Sequence, residues 1–503
     1  MNRNSQDYDQ CENKLFMEEQ ENERSLKVRR KWMARWIVNL LTGIGTALVA
    51  TVIEIGIEYV AHYKFWLLRK LVVWCDTGWR TALPLLYWIV VNCCLVFLGS
   101  SLVTFIEVNI LVLSRAVSSY FISLHIHLPS VRSYSPQAVG SGIPQIKCYL
   151  NGVKIPGLLT LRALIAKSFG VILSVSGGLA CGKEGPMIHS GAIVAAGVSQ
   201  GRSKMLKTDF KIFEYLRSDT ERRDFVSGGA AAGVSAAFGA PVGGLLFSLE
   251  EGASFWNQSL TWRIVFASMI ATFTVNVLLS AIHGHPADLS NPGLISFGRF
   301  SHITYQAIEI PIFLLMGVLG KYLYYHVTSD FKTAGGRYIA NNWLKVLEAM
   351  LVSAISAVMG FTLIFLVNDC VPDDARGHHD ESVVKLYCSE SEHNVMSAIF
   401  FKTPEQTLIA ILHDNMGSYT VLTLSLFVCL YFLLACWTYG LSVSSGIFIP
   451  CLLTGATWGR LVGMGVMYLF PTMVRINVSV FLTLEWGSFT EVDEFNFENY
   501  DSQ

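Results

Sequence analysis

The chain has 503 residues, of which 52% are hydrophobic and only 15% charged, and its formal net charge is −1. Soluble domains carry about 25% charged residues, whereas mean hydropathy here is +0.44. The balance excludes a soluble globular protein and offers no basic excess for nucleic acid; it predicts an all-α polytopic membrane protein.

Residues 1–35 form a polar head, and Met1–Glu23 lacks the early apolar core of a signal peptide. Lys27, Arg29, Arg30, Lys31 and Arg35 precede the first apolar run, which places the N-terminus in the cytoplasm. A merely solvated charge run would be compatible with the same placement.

Apolar runs follow at Trp36–Val60, Ala82–Ile106, Leu158–Ala180, Met187–Gly197, Phe225–Leu249, Trp262–Ile282, Ile308–His326, Trp343–Val367, Thr420–Thr438 and Ile447–Leu469. About 20 residues cross the hydrocarbon, so the longer runs are spans. Phe225–Leu249 reads as one small-residue span. The runs broken by Gly and Pro instead predict helices that line a protein-buried cavity.

The polar loop 368–394 contains Cys370 and Cys388, which would pair if that loop faces an oxidising lumen. Cys93, Cys94, Cys429 and Cys436 lie in apolar runs as inert thiols, and no Cys/His spacing predicts a metal site. Asn257-Gln258-Ser259 and Asn477-Val478-Ser479 match the glycosylation pattern, weakly so this near a membrane.

Gly182-Lys183-Glu184-Gly185-Pro186 sets a carboxylate and an ammonium inside an apolar region. Ionisable groups at membrane depth are costly and point to function; an interfacial turn that happens to hold charges is the bland alternative. The spacing Gly182-x-x-x-Pro186-x-x-x-x-Gly191 recurs as Gly446-x-x-x-Pro450-x-x-x-x-Gly455. Such Gly/Pro-interrupted segments in two halves mark transport sites, here with halves at 36–282 and 308–470; a Gly-rich chain also produces such matches by chance.

Gly140-Ser141-Gly142-Ile143-Pro144 offers a hydroxyl and bare N–H groups at a helix start, suited to a dehydrated monovalent anion. A structural Gly-Pro turn is the other reading. Phe448 would either line that site or pack in the core. Glu184 is a tethered anion that protonation releases, which couples ion and proton occupancy. Glu250 and Glu251 at a span end suit proton entry as well as a plain interfacial acidic pair, and Arg223 and Asp224 read as interfacial anchors.

GSGIP, GKEGP, SGGAAAGVSAAFGAPVGGLLFSLEEGASFWNQ and GIFIP together resemble the CLC family of chloride channels and chloride–proton exchangers. GSGIPQIKCYLNGVKIP and the segment around DFKIFEY are similar to its lysosomal exchanger branch. The resemblance covers Arg35–Ile106 and Ala138–Leu469.

It implies inverted repeats of broken, tilted helices meeting at a midplane anion site, in a homodimer with one pathway per subunit. It implies chloride ligands at Ser141, Gly142, Ile143, Glu184, Gly185, Ile447 and Phe448. Glu184 takes the gating role, and Glu251 takes the proton-transfer role that separates exchangers from channels. It further implies a lysosomal or late endosomal membrane, a single-pass glycosylated β-subunit, and no cofactor beyond the chloride substrate.

Two departures accompany this. Residues 108–137 stand as an insertion before GSGIP, and residues 471–503 form a divergent acidic tail, so the second repeat, 283–470, reads as incomplete. No CBS nucleotide module is expected, and no tyrosine of this chain is assigned as a ligand to the anion. The expectation is secondary active chloride–proton antiport rather than enzymatic activity. A passive chloride channel and a truncated, non-conducting subunit are the alternatives.

Overall fold

The computed structural model describes residues 25–74, 82–119, 138–203, 208–284, 310–318, 341–372, 388, 392–414 and 418–469, less 213, 313 and 368. For 25–27, 106–119, 203 and 208 the description is of the backbone. Helices dominate: α1 Ser25–Trp74, α2 Ala82–Ser119, α3 Ile143–Leu150, α4 Leu161–Ser176, α5 Glu184–Gln200, α6 Asp219–Phe238, α7 Pro241–Phe247 and α8 Gln258–Ile282. The second part of the chain adds α9 Asn342–Leu366, α10 Val395–Phe400, α11 Pro404–His413, α12 Val421–Tyr439 and α13 Phe448–Leu469. Two small antiparallel ribbons complete the set, β1 Arg202–Ser203 with β2 Thr208–Asp209, and β3 Cys370–Pro372 with β4 Glu392–Asn394.

Five of the described helices are long and apolar enough to cross a membrane, over Val28–Trp74, Ala82–Phe105, Gln258–Ile282, Asn342–Leu366 and Val421–Tyr439. Their outward faces are apolar, as at Trp262, Met269 and Phe273 of α8, the surface a lipid solvent requires.

One expectation is extended and one corrected. The first run, Trp36–Val60, lies within a longer helix of 50 residues, whose flanks contain no Gly or Pro to stop it. Phe225–Leu249 is not one span: α6 stops at Gly239, whose φ of 63° is left-handed, and α7 restarts at Pro241. Proline's missing N–H suits a first helical turn and cannot continue a helix already formed. Of the insertion, residues 108–119 continue α2, and the remainder lies outside the described residues.

The chain divides into two compact units. The first comprises Met1–Ile55, Leu102–Val171 and Glu184–Ile295. In it α5 and α6 approach so closely that a Cβ on Gly191 would lie 2.2 Å from the Gly229 carbonyl oxygen. Small residues serve this purpose in membranes, where dispersion between close backbones replaces the hydrophobic effect. Ile146, Tyr149 and Leu150 of α3 share a buried cluster with Ile188 and Ala192 of α5 and Val226 and Ala230 of α6. Ala231 of α6 packs on Leu260 and Ile264 of α8. Ser218 and Asn257 cap α6 and α8, and the Asn257 carboxamide oxygen accepts the Ser259 N–H, so the first glycosylation match is a helix cap.

The second unit comprises Gly56–Ser101, Ile172–Lys183 and Ser296–Gln503. Leu68, Trp88, Phe361, Ile364, Met396 and Phe401 form one buried cluster. A second joins Val96, Leu179, Val352, Leu441 and Val443. Asn394 ties the end of α9 to the start of α10: its amide donates to the Val367 carbonyl at 3.2 Å, and its oxygen accepts the Ser397 N–H at 3.1 Å. Beside it, Cys370 and Cys388 are joined by a disulfide, with Cα atoms 5.9 Å apart.

Candidate functional site

The GSGIP turn is built by backbone conformation. Gly140 and Gly142 have φ of 66° and 83°, values that side chains rarely tolerate. Gly142 is the N-cap of α3, and Pro144 sits in its first turn. The Ser141 hydroxyl accepts the Ile143 N–H at 3.4 Å, which fixes it at the helix start. The positive end of the helix dipole lies there. A Cβ on Gly142 would lie 2.2 Å from Nδ1 of His189, so the α5 imidazole packs directly on this turn. His189 is fully buried, with Nε2 3.1 Å from the Leu158 carbonyl oxygen.

GKEGP spans the division between the units. The irregular segment 177–183 that leads into it, in the second unit, is held on several sides. The Gly177 carbonyl accepts the Ser353 hydroxyl at 3.0 Å, and the Gly178 carbonyl accepts that of Ser356 at 3.1 Å. Gly182 and Gly446 exchange both backbone hydrogen bonds, at 2.7 and 2.9 Å. The matched Gly/Pro elements of the sequence thus meet as a one-residue antiparallel pair. Lys183, 1% exposed, places its ammonium 2.8 Å from a carboxylate oxygen of Glu405, in the first turn of α11.

Glu184 then opens α5 and is itself 1% exposed. The first N–H groups of a helix have no intrahelical acceptor, so Glu184 and Gly185 stand where an anion is favoured. Ile447 and Phe448 occupy the equivalent start of α13 in the second unit and are half-buried.

Glu250 and Glu251 lie on a π-helical turn, Ser248–Gly252, after α7. Such wide turns recur at functional sites. Glu251 forms an ion pair with Lys147, in the last turn of α3, while Glu250 is exposed. One short helix thus carries Ser141 and Gly142 at its start and the partner of Glu251 at its end. Arg223 and Asp224 pair at 2.9 Å, and Arg263 approaches Asp224 at 3.6 Å.

Within the first unit the structure therefore brings GSGIP against α5 and links α3 to Glu251. Within the second it joins GKEGP to GIFIP through glycines. Reasoning from the sequence missed His189, Lys147, Glu405, Ser353 and Ser356. His189 and Lys147 lie in sight of their motifs, five residues after Glu184 and three after Pro144. The other three are remote in sequence and carry no local signal. Among the described residues no group of three or more His, Cys, Asp or Glu is placed to hold a metal ion.

The motif order and this arrangement match a known family. The profile of the voltage gated chloride channel family matches residues 122–489. The chain belongs to that family. It is 51% identical over 470 residues to the mouse protein named H(+)/Cl(-) exchange transporter 7, covering 92% of this chain and 55% of the relative. The human protein of that name gives the same figures. The Arabidopsis thaliana chloride channel protein CLC-d is 33% identical, with 97% of this chain and 60% of the relative covered. The chain spans about half the length of the curated relatives it matches.

Among solved structures, a eukaryotic CLC transporter superposes with a TM-score of 0.60 at 20% identity, covering 92% of this chain and 65% of that one. A slow cyanobacterial Cl-/H+ antiporter superposes with a TM-score of 0.61 at 19% identity, covering 91% and 85%. The fold of this CLC chain is therefore that of the CLC transporters, an all-α polytopic membrane protein, as the motifs implied.

Proposed function

We propose that this chain carries a chloride–proton antiport pathway of an organelle membrane. The observation that carries the reading is the double hydrogen bond between Gly182 and Gly446, which joins the first glycines of the two matched Gly/Pro elements. Ser141, Gly142, Ile143, Glu184, Gly185, Ile447 and Phe448 then supply the chloride ligands, through a hydroxyl, backbone N–H groups and a ring edge. No full cation among these ligands holds the ion, which keeps binding weak enough for release.

Glu184 is the gate. Charged, it competes with chloride for the N–H groups at the start of α5; protonated, it withdraws. Glu251 passes the proton to and from the opposite aqueous side, with Lys147 orienting its carboxylate. The names of the 51% identical relatives, proton–chloride exchangers, support the same coupling.

The two repeats, 36–282 and 283–470, work as inverted copies, and the unit assembles as a homodimer in lysosomal or late endosomal membrane with a single-pass glycosylated β-subunit. The Cys370–Cys388 disulfide supports a lumen-facing loop, since such bonds persist in oxidising compartments.

Reconstitution of this chain in proteoliposomes, read with paired chloride and pH electrodes, tests the reading. Protons driven uphill by a chloride gradient support it. Chloride flux without protons makes it a passive channel. Absence of both fluxes, with a monodisperse size profile, makes it a non-conducting subunit.

A further inference from the structure

Lys64 is a buried lysine that the transport reading does not use. It lies on α1, 5% exposed, and belongs wholly to the second unit with its neighbours. Its Nζ donates to Asn92 Oδ1 at 3.1 Å and to the Ser176 carbonyl at 2.5 Å, and it stands 4.3 Å from the centroid of the Trp88 ring. Each of these partners is neutral. Among the described residues no carboxylate reaches the ammonium, although buried charges are ordinarily paired.

A cavity opens beside it, lined by Lys64, Trp88, Asn92, Ser176, Phe400 and Lys402 among others, and among the described residues no Asp or Glu lines it. The Ser176 hydroxyl is buried, 3% exposed, and has no hydrogen-bond partner among the described residues. Ser141, Glu184 and Phe448 do not line this cavity.

We infer that the cavity is a second anion site, distinct from the transport ligands, that takes a small organic carboxylate. The Lys64 ammonium and the unused Ser176 hydroxyl ask for a negative head. The Trp88 and Phe400 rings ask for an apolar body behind it, which a halide lacks. The carboxylate is the counter-charge that Lys64 is missing and the acceptor for the Ser176 hydroxyl.

Benzoate is the probe. Calorimetric titration of the purified full chain in saturating chloride keeps halide-only sites filled and reads binding of the organic anion alone. Wild type binds benzoate, Lys64→Met weakens it at least tenfold, and Lys64→Arg retains most of it. Ser176→Ala, a substitution small enough to leave the fold intact, weakens it several-fold and decides the matter should Lys64→Met aggregate. Failure of wild type to bind, or equal affinity in wild type and Ser176→Ala, overturns the assignment.

Discussion

Lys183 and Glu405, 222 residues apart, form an ion pair in which the ammonium is 1% exposed and the carboxylate 23%. Lys183 immediately precedes the gating candidate, so the pair anchors the backbone from which Glu184 departs. Breaking one side of a buried pair costs about 3–5 kcal/mol, because the remaining charge keeps its desolvation penalty. Glu405 is partly open to solvent, so Glu405→Gln is expected near the lower end, about 3 kcal/mol. Lys183→Met with Glu405→Leu restores part of that loss. Thermal melts in detergent of wild type, Lys183→Met, Glu405→Leu and the double variant check this, and simple additivity would show the two residues to be uncoupled.

The two carboxylates are expected to divide the work. Glu184→Ala leaves chloride flux in place and removes proton movement, since the site then has no group to carry the proton. Glu251→Gln also uncouples, with Glu184 intact. Lys147→Gln is expected to slow proton transfer several-fold without affecting chloride, because Lys147 pairs with Glu251 and is none of the proposed chloride ligands. Chloride and pH electrode traces on the same proteoliposomes separate the three outcomes. Unchanged stoichiometry in Glu251→Gln sinks its assignment.

Gly229 is a packing requirement. A Cβ there would lie 2.4 Å from the Gly191 carbonyl oxygen and 2.5 Å from Cβ of Ala195. Backbone oxygen cannot yield as a side chain can, so Gly229→Val forces α5 and α6 apart. Overpacking typically costs 1–3 kcal/mol and more against backbone; about 3 kcal/mol is expected. Size-exclusion profiles and melting temperature check it, with Gly197→Ala as control, since a Cβ at Gly197 meets nothing within 4 Å.

Acid is expected to loosen the β1–β2 hairpin, which lies outside the spans. The Arg217 guanidinium, donating at 3.0 Å and 2.5 Å, and the Lys211 N–H at 2.9 Å hold the Asp209 carboxyl at about 2, against an ordinary 3.8. A folded value below the unfolded one stabilises fully above the ordinary value and is lost as pH falls through the folded one. Amide exchange over 201–217, corrected for intrinsic rate, should therefore rise between pH 3.8 and about 2. Arg217→Gln shifts that rise upward; an unchanged midpoint would show that Arg217 does not hold the carboxylate.

Much of the fold was readable because membranes simplify the code. Lipid cannot hydrogen-bond a backbone, so an apolar run becomes a helix almost by necessity. Trp343–Val367, Thr420–Thr438 and Ile447–Leu469 accordingly match α9, α12 and α13 within a residue or so. The small-residue run Phe225–Leu249 misled for a local reason: hydropathy ignores Gly239 and Pro241, and only their backbone preferences break it.

By itself, then, the sequence determined the class, most of the spans, the three Gly/Pro turns and the family. These depend on composition and on residues adjacent in the chain. Tertiary structure alone decided that Gly182 pairs with Gly446, that Glu405 holds Lys183, that Lys147 holds Glu251 and that Lys64 bonds Asn92 and Ser176. Each of those relations joins chain-distant groups in the same compact unit. An ion pair or backbone bridge between groups 104 to 264 residues apart leaves no periodicity to read. Its partner is chosen by helix packing, and packing is a property of the folded chain.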